Sequence, residues 1–363
     1  MTTRQVPTFG VEEELLLLDP STGVPVMRNR EVADRAASLG LDVQLELTPC
    51  QIETSTPVLH TADELLAQLD RSRSLAASAA RACGAAVLAA GVPPILPTSG
   101  PITDTVRYRH IAAEYGIIAA EQGICGAHVH VGVPDRPTAL HVGNHLRPWL
   151  PVLLALTANS AFYDGHDTGY ASWRSVLWSR WPSAGPPPFV RSPEHHAQLL
   201  AQMKDVGAIL DDGMVYWDVR PSARFPTVEV RASDVPADTA DTVLLAVLVR
   251  ALVMTALRAI DDDVAPPDTT DHALRWAYWR AGMSGLRSTL VHPLTGRSAP
   301  AGAVIDSLCS HVADALAESA DSAWVETQVN RLRTRGSGAD RQRRARAATG
   351  SIAAAALSMI ERP

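Results

Sequence analysis

Strand-like and helix-like hydrophobic patterns alternate through the first half of the chain, and helical patterns take over after it. Residues 9–18 read as a strand, followed by a turn at Ser21-Thr22-Gly23. Between Leu41 and Thr54, Val43, Leu45 and Leu47 alternate with Gln44, Glu46 and Thr48, the two-residue period of a half-buried strand. Thr61-Ala62-Asp63-Glu64 has the form of a capping box and opens a helix predicted to reach about Cys83. Residues 85–92 form a short apolar strand stopped by Pro93-Pro94, and residues 127–133 form another. Residues 138–159 read as mostly helical, bent or divided by Pro148 and Pro151. A loop at 183–188 precedes Ser192-Pro193-Glu194, an N-cap with proline at the first helical position. Residues 215–220 and 226–233 read as strands. From Asp238 onward the pattern predicts helices only, at 238–260, 272–283, 302–320 and 340–361.

No repeat and no low-complexity linker interrupts this order. It predicts a single α+β domain over residues 1–363, with a strand-rich core at about 5–235 and a helical tail at about 238–363. The strand connections read as mixed, so a doubly wound parallel sheet is the alternative, although no glycine-rich dinucleotide fingerprint follows any strand.

At 363 residues, with 46% hydrophobic and 20% charged, the chain can bury most of its apolar surface without staples. A net charge of −7 disfavours nucleic acid or an anionic membrane as the main partner. Phosphates remain accessible to such a protein if bound metal ions carry the positive charge. The N-terminal stretch lacks the apolar core of a signal peptide. The longest apolar run, 243–257, is interrupted by Arg250 and is too short to span a bilayer, so it predicts a buried helix. Cys50, Cys83, Cys125 and Cys309 are scattered without zinc-ligand spacing, which suits free thiols in a reducing cytoplasm. A homo-oligomer stays open.

Four strand regions carry groups that could face one cavity. The strand period sets Glu12 and Glu14 on one side and Glu13 on the other. Glu46 and Glu53 flank a break at Thr48-Pro49. His128 and His130 share a face, with Ala127, Val129 and Val131 opposite, and Glu229 shares a face with Arg231. Each pattern also has an ordinary structural explanation: a solvated strand edge, two satisfied sheet histidines, an ion pair within the sheet. Together they imply more, because carboxylates from several strands facing one space repel unless a divalent cation neutralises them. A carboxylate-rich set with little imidazole suits magnesium or manganese, and magnesium takes substrate phosphates as further ligands, which points to ATP. The chain has no G-x-x-x-x-G-K-[ST] loop, so ATP would bind through metals and arginines on a sheet.

At these residues the sequence resembles the glutamate–cysteine ligase type 2 family of bacterial carboxylate–amine ligases. The matching stretches are FGVEEELLLLDP (9–20), QLELTPCQIETSTPV (44–58), ICGAHVHVGVPD (124–135), DTGYASWRSVLWSRWP (167–182), RPSARFPTVEVRASDV (220–235) and GSGADRQR (336–343). The resemblance implies a glutamine-synthetase-like fold: a curved antiparallel sheet forming a funnel, metal sites on its concave face and helices outside. It implies that Glu12, Glu14, Glu46, Glu53, His128 and Glu229 hold catalytic magnesium ions. His130 stands between ligand, supporting group and substrate contact, and Arg231 would meet the transferred γ-phosphate. The implied reaction joins the carboxylate of glutamate, or an analogue, to an amine through an acyl phosphate.

Residues 170–181 mix aromatics with arginines, which suits a packed amphipathic helix or an Arg174 or Arg180 that grips a substrate carboxylate. Arg220 and Arg224 are further candidates for phosphate or carboxylate. The basic stretch 341–346 reads as a solvated helix face, with a nucleotide-phosphate role kept open by the GADRQR resemblance. Ala127, Pro137 and Pro236 depart from the family pattern and are expected to border the amine pocket, which puts cysteine as acceptor in doubt. The competing functions are a metal-dependent hydrolase of small amides that uses the same cluster without nucleotide, and a non-catalytic homologue kept as a binding module. The amine itself is not legible in the sequence.

Overall fold

The structure, a computed structural model, describes residues 5–96, 100–121 and 123–362; the first four residues of the N-terminal stretch lie outside these. Its strands in chain order are β1 (Phe9–Leu18), β2 (Val43–Leu45), β3 (Gln51–Ser55), β4 (Ala86–Leu88), β5 (Gly126–Gly132), β6 (Phe162–Tyr163), β7 (His166–Asp167), β8 (Val219–Pro221), β9 (Thr227–Asp234), β10 (Thr289–Val291) and β11 (Ser298–Pro300). Seven of them form one sheet in the order β2-β3-β1-β5-β9-β8, with β4 also paired to β1. Every pairing in that sheet is antiparallel, which excludes the doubly wound parallel alternative.

Alternation along the central strands decides which face meets the helices. Val11, Val129, Val131, Val228 and Val230 point to one side, where the Thr239–Asp261 helix packs against them. That helix is long and apolar enough to cross a membrane, but 78% of its most apolar window is buried inside the protein, as for a core helix. Arg250, midway along it, is buried, donates to Asp321 at 2.6 Å and lies 4.2 Å from the Phe9 ring centroid. The same inner face of β1 carries Glu13, fully buried and held by both prongs of Arg73 (2.9 and 2.7 Å) and by the Thr242 hydroxyl at 2.6 Å. Arg73 donates further to Glu361 and to the Pro236 carbonyl, so the end of the chain is clamped behind β1.

Local signals were obeyed where they were strong. The capping box at Thr61 and Glu64 is formed and its helix runs over Ala62–Ala82. Residues 138–159 divide at their prolines into Arg136–Leu146, a 3-10 turn at Arg147–Trp149 and Leu150–Thr157. Three expectations are corrected. Residues 41–54 form the hairpin β2–β3 rather than one strand, since the backbone turns at the Thr48-Pro49 break and the Gln51 N–H donates to the Thr48 carbonyl. The tail is not helical only, because β10 and β11 pair across a turn in which the Gly296 N–H donates to the His292 carbonyl. It also contains an unforeseen helix at Ser322–Arg335, whose three buried apolar residues, Val325, Val329 and Leu332, are diluted by charge.

Removing one partner of a buried ion pair strands the other charge, at about 3–5 kcal/mol. Glu13→Ala is therefore expected to destabilise the protein by about that amount in urea unfolding, against about 1 kcal/mol for loss of the Thr61 cap in Thr61→Ala. Equal effects of the two substitutions would show that the Arg73–Glu13 pair does not anchor β1.

Candidate active site

The sheet register brings the candidate groups into rows. Glu14 stands opposite Glu53, Glu12 opposite His128, and His130 opposite Glu229. Directly opposed residues on one face of antiparallel strands sit close enough for their side chains to touch. Glu46, just past the end of β2, joins the same face. The result is three overlapping groups whose ligand atoms lie within 4.8 Å of one another: Glu14, Glu46 and Glu53; Glu12, Glu53 and His128; Glu12, His130 and Glu229. All seven residues line a cavity of about 960 Å³.

The electrostatics show what this arrangement lacks. Burial, reinforced by the charge on Glu14, pushes the Glu46 carboxyl up to about 8. Burial and the charges of Glu46, Glu12 and Glu14 hold Glu53 well above the usual carboxylate range. Burial also opposes the charge of Glu12, but the contacts with His128 and His130 outweigh it and its pKa falls. Glu229 is likewise held low against its burial, here by Arg231 and Arg220. Burial and the neighbouring Arg231 lower the pKa of His128, which favours neutral imidazole. Its Nδ1 lies 3.2 Å from Glu12 and its Nε2 has no hydrogen-bond partner; the Nε2 of His130 is also buried without one, while its Nδ1 lies 3.0 Å from the Thr227 hydroxyl. Imidazole nitrogens that make no hydrogen bond and lie 3.8 Å (His128 to Glu14) and 3.5 Å (His130 to Glu12) from carboxylates that cannot all ionise together fit a divalent cation, and the oxygen-rich donor set fits magnesium or manganese.

Arginines close the rest of the wall. Arg220 holds Glu229 with two prongs at 2.9 and 3.1 Å, and Arg231 donates to the same carboxylate at 2.5 Å. Arg174 is almost fully buried, lies 5.6 Å from the Trp178 ring centroid and forms no ion pair among the described residues. It crosses β5 at Gly126, where a Cβ would come within 2.4 Å of its guanidinium. Arg224 lines the cavity from an exposed position on the β8–β9 loop. Strand β9 carries a bulge opposite His128: Ala127 pairs with Ser233 but Val129 with Val230. The extra residue turns Asp234 out of the core alternation and towards the Arg174 side.

Several expectations do not survive this geometry. Arg180 does not line the cavity and pairs with Glu121 at 2.8 Å. Arg341, Arg343, Arg344 and Arg346 lie outside it too; Arg343 forks Asp167 at 2.9 and 2.7 Å, which removes the support for a phosphate role. Ala127 faces the apolar core, Pro137 is exposed and Pro236 is buried behind β1, so none of the three borders the cavity. Conversely, Tyr108, Tyr216, Trp181, Arg107 and Asp211 contribute to the wall without having been anticipated. Arg107, Tyr108 and Asp211 lie in segments for which the pattern predicts no element, Tyr216 lies just before β8 in a stretch that reads as strand, and Trp181 belongs to the aromatic stretch 170–181.

Residues 8–358 match the profile of the glutamate–cysteine ligase family 2. A candidate glutamate–cysteine ligase 2-1 of Nocardia farcinica is 53% identical over 348 residues, spanning 96% of this chain and 91% of that protein. A candidate glutamate–cysteine ligase 2-3 of Mycolicibacterium smegmatis is 53% identical over 340 residues, spanning 93% of each. Among solved structures, the glutamate–cysteine ligase of Francisella tularensis in complex with AMP superposes with a TM-score of 0.68 at 13% identity, covering 98% of this chain and 88% of that one. At that identity the likeness speaks for the fold.

The Glu46 shift gives the site a testable pH dependence. A carboxyl raised from 4.5 to about 8 holds its proton more tightly folded than unfolded. Its contribution to stability is therefore full at low pH and lost as pH climbs through that window. The cation-free protein is expected to melt at progressively lower temperature between about pH 4.5 and about pH 8, less steeply in Glu46→Gln. Magnesium binding near neutral pH should release a proton, read as a buffer-dependent heat in calorimetry. Proton-neutral binding with a pH-independent affinity would contradict the crowded-carboxylate description.

Proposed function

The chain belongs to the glutamate–cysteine ligase family 2, a family of ATP-dependent carboxylate–amine ligases, and on that premise we infer that it joins the side-chain carboxylate of glutamate, or of a close analogue, to an amine. The observation that carries this reading is the set of three overlapping acid and imidazole groups on one cavity floor, bordered by Arg231, Arg220 and Arg174. A site for cations beside a site for anions is what a reaction between ATP and a carboxylate requires. The curved, funnel-like sheet of glutamine-synthetase-like ligases belongs to the same reading, supported by a cavity walled from β1, β3, β5 and β9 at once.

Glu12, Glu14, Glu46, Glu53, His128, His130 and Glu229 would hold magnesium, or manganese, which supplies positive charge against the phosphates of ATP. Carboxylate is a poor electrophile, so an oxygen of the substrate carboxylate first attacks the γ-phosphorus, and the bond to the bridging oxygen breaks to release ADP. The amine then attacks the acyl carbon of the acyl phosphate, loses a proton and expels inorganic phosphate. Arg231 presents its planar fork to the oxygens that gain charge during transfer. Arg174, buried and without an ion pair among the described residues, would grip the second carboxylate of the amino-acid substrate. Arg220 and Arg224 extend the anion-binding wall towards the mouth. Because Ala127, Pro137 and Pro236 stand off the cavity, they give no ground for excluding cysteine as the amine. The thiols, all free, and the demand for ATP suit the cytoplasm.

Two outcomes follow. Arg231→Lys keeps the charge but loses the fork, so kcat is expected to drop by at least about tenfold, with a smaller change in KM for ATP. Near-normal kcat would reduce Arg231 to an ion-pair partner of Glu229. Positional isotope exchange in labelled ATP is expected with glutamate alone, before any amine is added, because phosphorylation precedes amine attack. Turnover of a small amide without nucleotide, with no exchange, would favour the hydrolase instead.

A further inference from the structure

The Gly338–Thr349 helix lies outside the cavity, yet its first turns are wired to the wall. Gly338 abuts Asn159 so closely that a Cβ would meet that side chain at 2.3 Å. The Gln342 amide, buried, accepts from the Ala161 N–H at 2.8 Å and donates to the Asn159 carbonyl and Oδ1 at 2.8 and 2.9 Å. Asn159 passes the constraint on. Its side-chain amide donates to the carbonyls of Ala89 and Val235, both at 2.9 Å, and its backbone N–H donates to Asp234 at 2.8 Å.

Asp234 is fully buried, turned to this side by the β9 bulge, and also receives the hydroxyls of Ser160 (2.6 Å) and Ser172 (2.7 Å). The Ser160 hydroxyl in turn accepts the backbone N–H of Arg174 at 3.0 Å. At the next residue of the helix, Arg343 forks Asp167 and donates to the Tyr170 carbonyl at 2.8 Å, fixing the segment that leads into Arg174. The relay runs from Gln342 through Asn159, Asp234 and Ser160 to the backbone N–H of Arg174.

We propose that Gln342, acting through Asn159, Ser160 and Asp234, is a positioning residue for Arg174, so that the C-terminal part of the chain sets the affinity of the cavity for the carboxylate substrate. This rests on the reading of Arg174 as the grip on that substrate. A glutamine is required by the donor pattern: one end of its amide must accept from Ala161 while the other donates twice to Asn159. Glutamate at this position keeps the first bond and turns an acceptor towards two acceptors. A residue that merely held the fold together would weaken both substrates alike.

The test uses the full chain with Gln342→Glu, Gln342→Ala, Arg174→Ala and the double variants, measuring KM for glutamate and for ATP from ADP release. Either Gln342 variant is expected to raise KM for glutamate about tenfold, with KM for ATP within about twofold, and to add nothing once Arg174 is alanine. Equal effects on both KM values, or the same increment in the Arg174→Ala background, would overturn the proposal. So would failure of both Gln342 variants to fold, since Gln342 would then serve the fold as a whole. An unchanged KM for glutamate in Arg174→Ala would instead overturn the carboxylate grip itself, a result separable from the others because it needs no Gln342 variant.

Discussion

Mutual repulsion among carboxylates on one sheet face is the constraint around which this protein is arranged. Glu12, Glu14, Glu46 and Glu53 are brought within bonding reach of shared points in space, and burial, reinforced by their mutual charge, makes Glu46 and Glu53 hold their protons tightly. A fold does not concentrate acids in this way for stability, since each uncompensated charge opposes burial. The arrangement is favourable when a cation enters, and antiparallel pairing provides it, because opposed residues of neighbouring strands share a face.

Holding such a floor requires a firm back. Strand β1 carries the cavity acids on one side and Glu13 on the other, where Arg73, Thr242 and the Glu361 region lock it against the helices. The two buried ionic systems differ in kind. Behind the strand every charge is answered by protein groups, which makes the clamp rigid. Within the cavity, Glu229 is answered by Arg220 and Arg231, while Glu46 and Glu53 are answered by no ion pair among the described residues. The cavity therefore contains both a place where positive charge is missing and, at Arg174, a cation that forms no ion pair among the described residues.

The strongest sequence features were those written in one residue and its immediate neighbours. Alternation placed Glu12 with Glu14 and Glu13 opposite; it placed His128 with His130 and Ala127 in the core; the capping box at Thr61 and the prolines at 148 and 151 acted where they stand. The chemistry of the candidate site was legible for the same reason, because strand period alone tells which side chains share a face. The basic stretch near the C-terminus read as a solvated helix face, and Arg344 and Arg346 are exposed on one, but Arg343 pairs with Asp167, and no local pattern records a partner 176 residues away.

Sequence by itself determined the strand faces, the donor types and their preference for an oxygen-loving divalent cation, all of which depend on spacing and on side-chain chemistry. Tertiary structure decided the register that assembles seven candidate ligands from β1, the β2–β3 hairpin, β5 and β9. It decided the bulge that turns Asp234 towards Arg174, and the removal of Ala127, Pro137 and Pro236 from the cavity wall. These outcomes depend on pairings between residues far apart in the chain. Such pairings are set by how whole elements pack, and packing is a property of the folded surface rather than of any one segment.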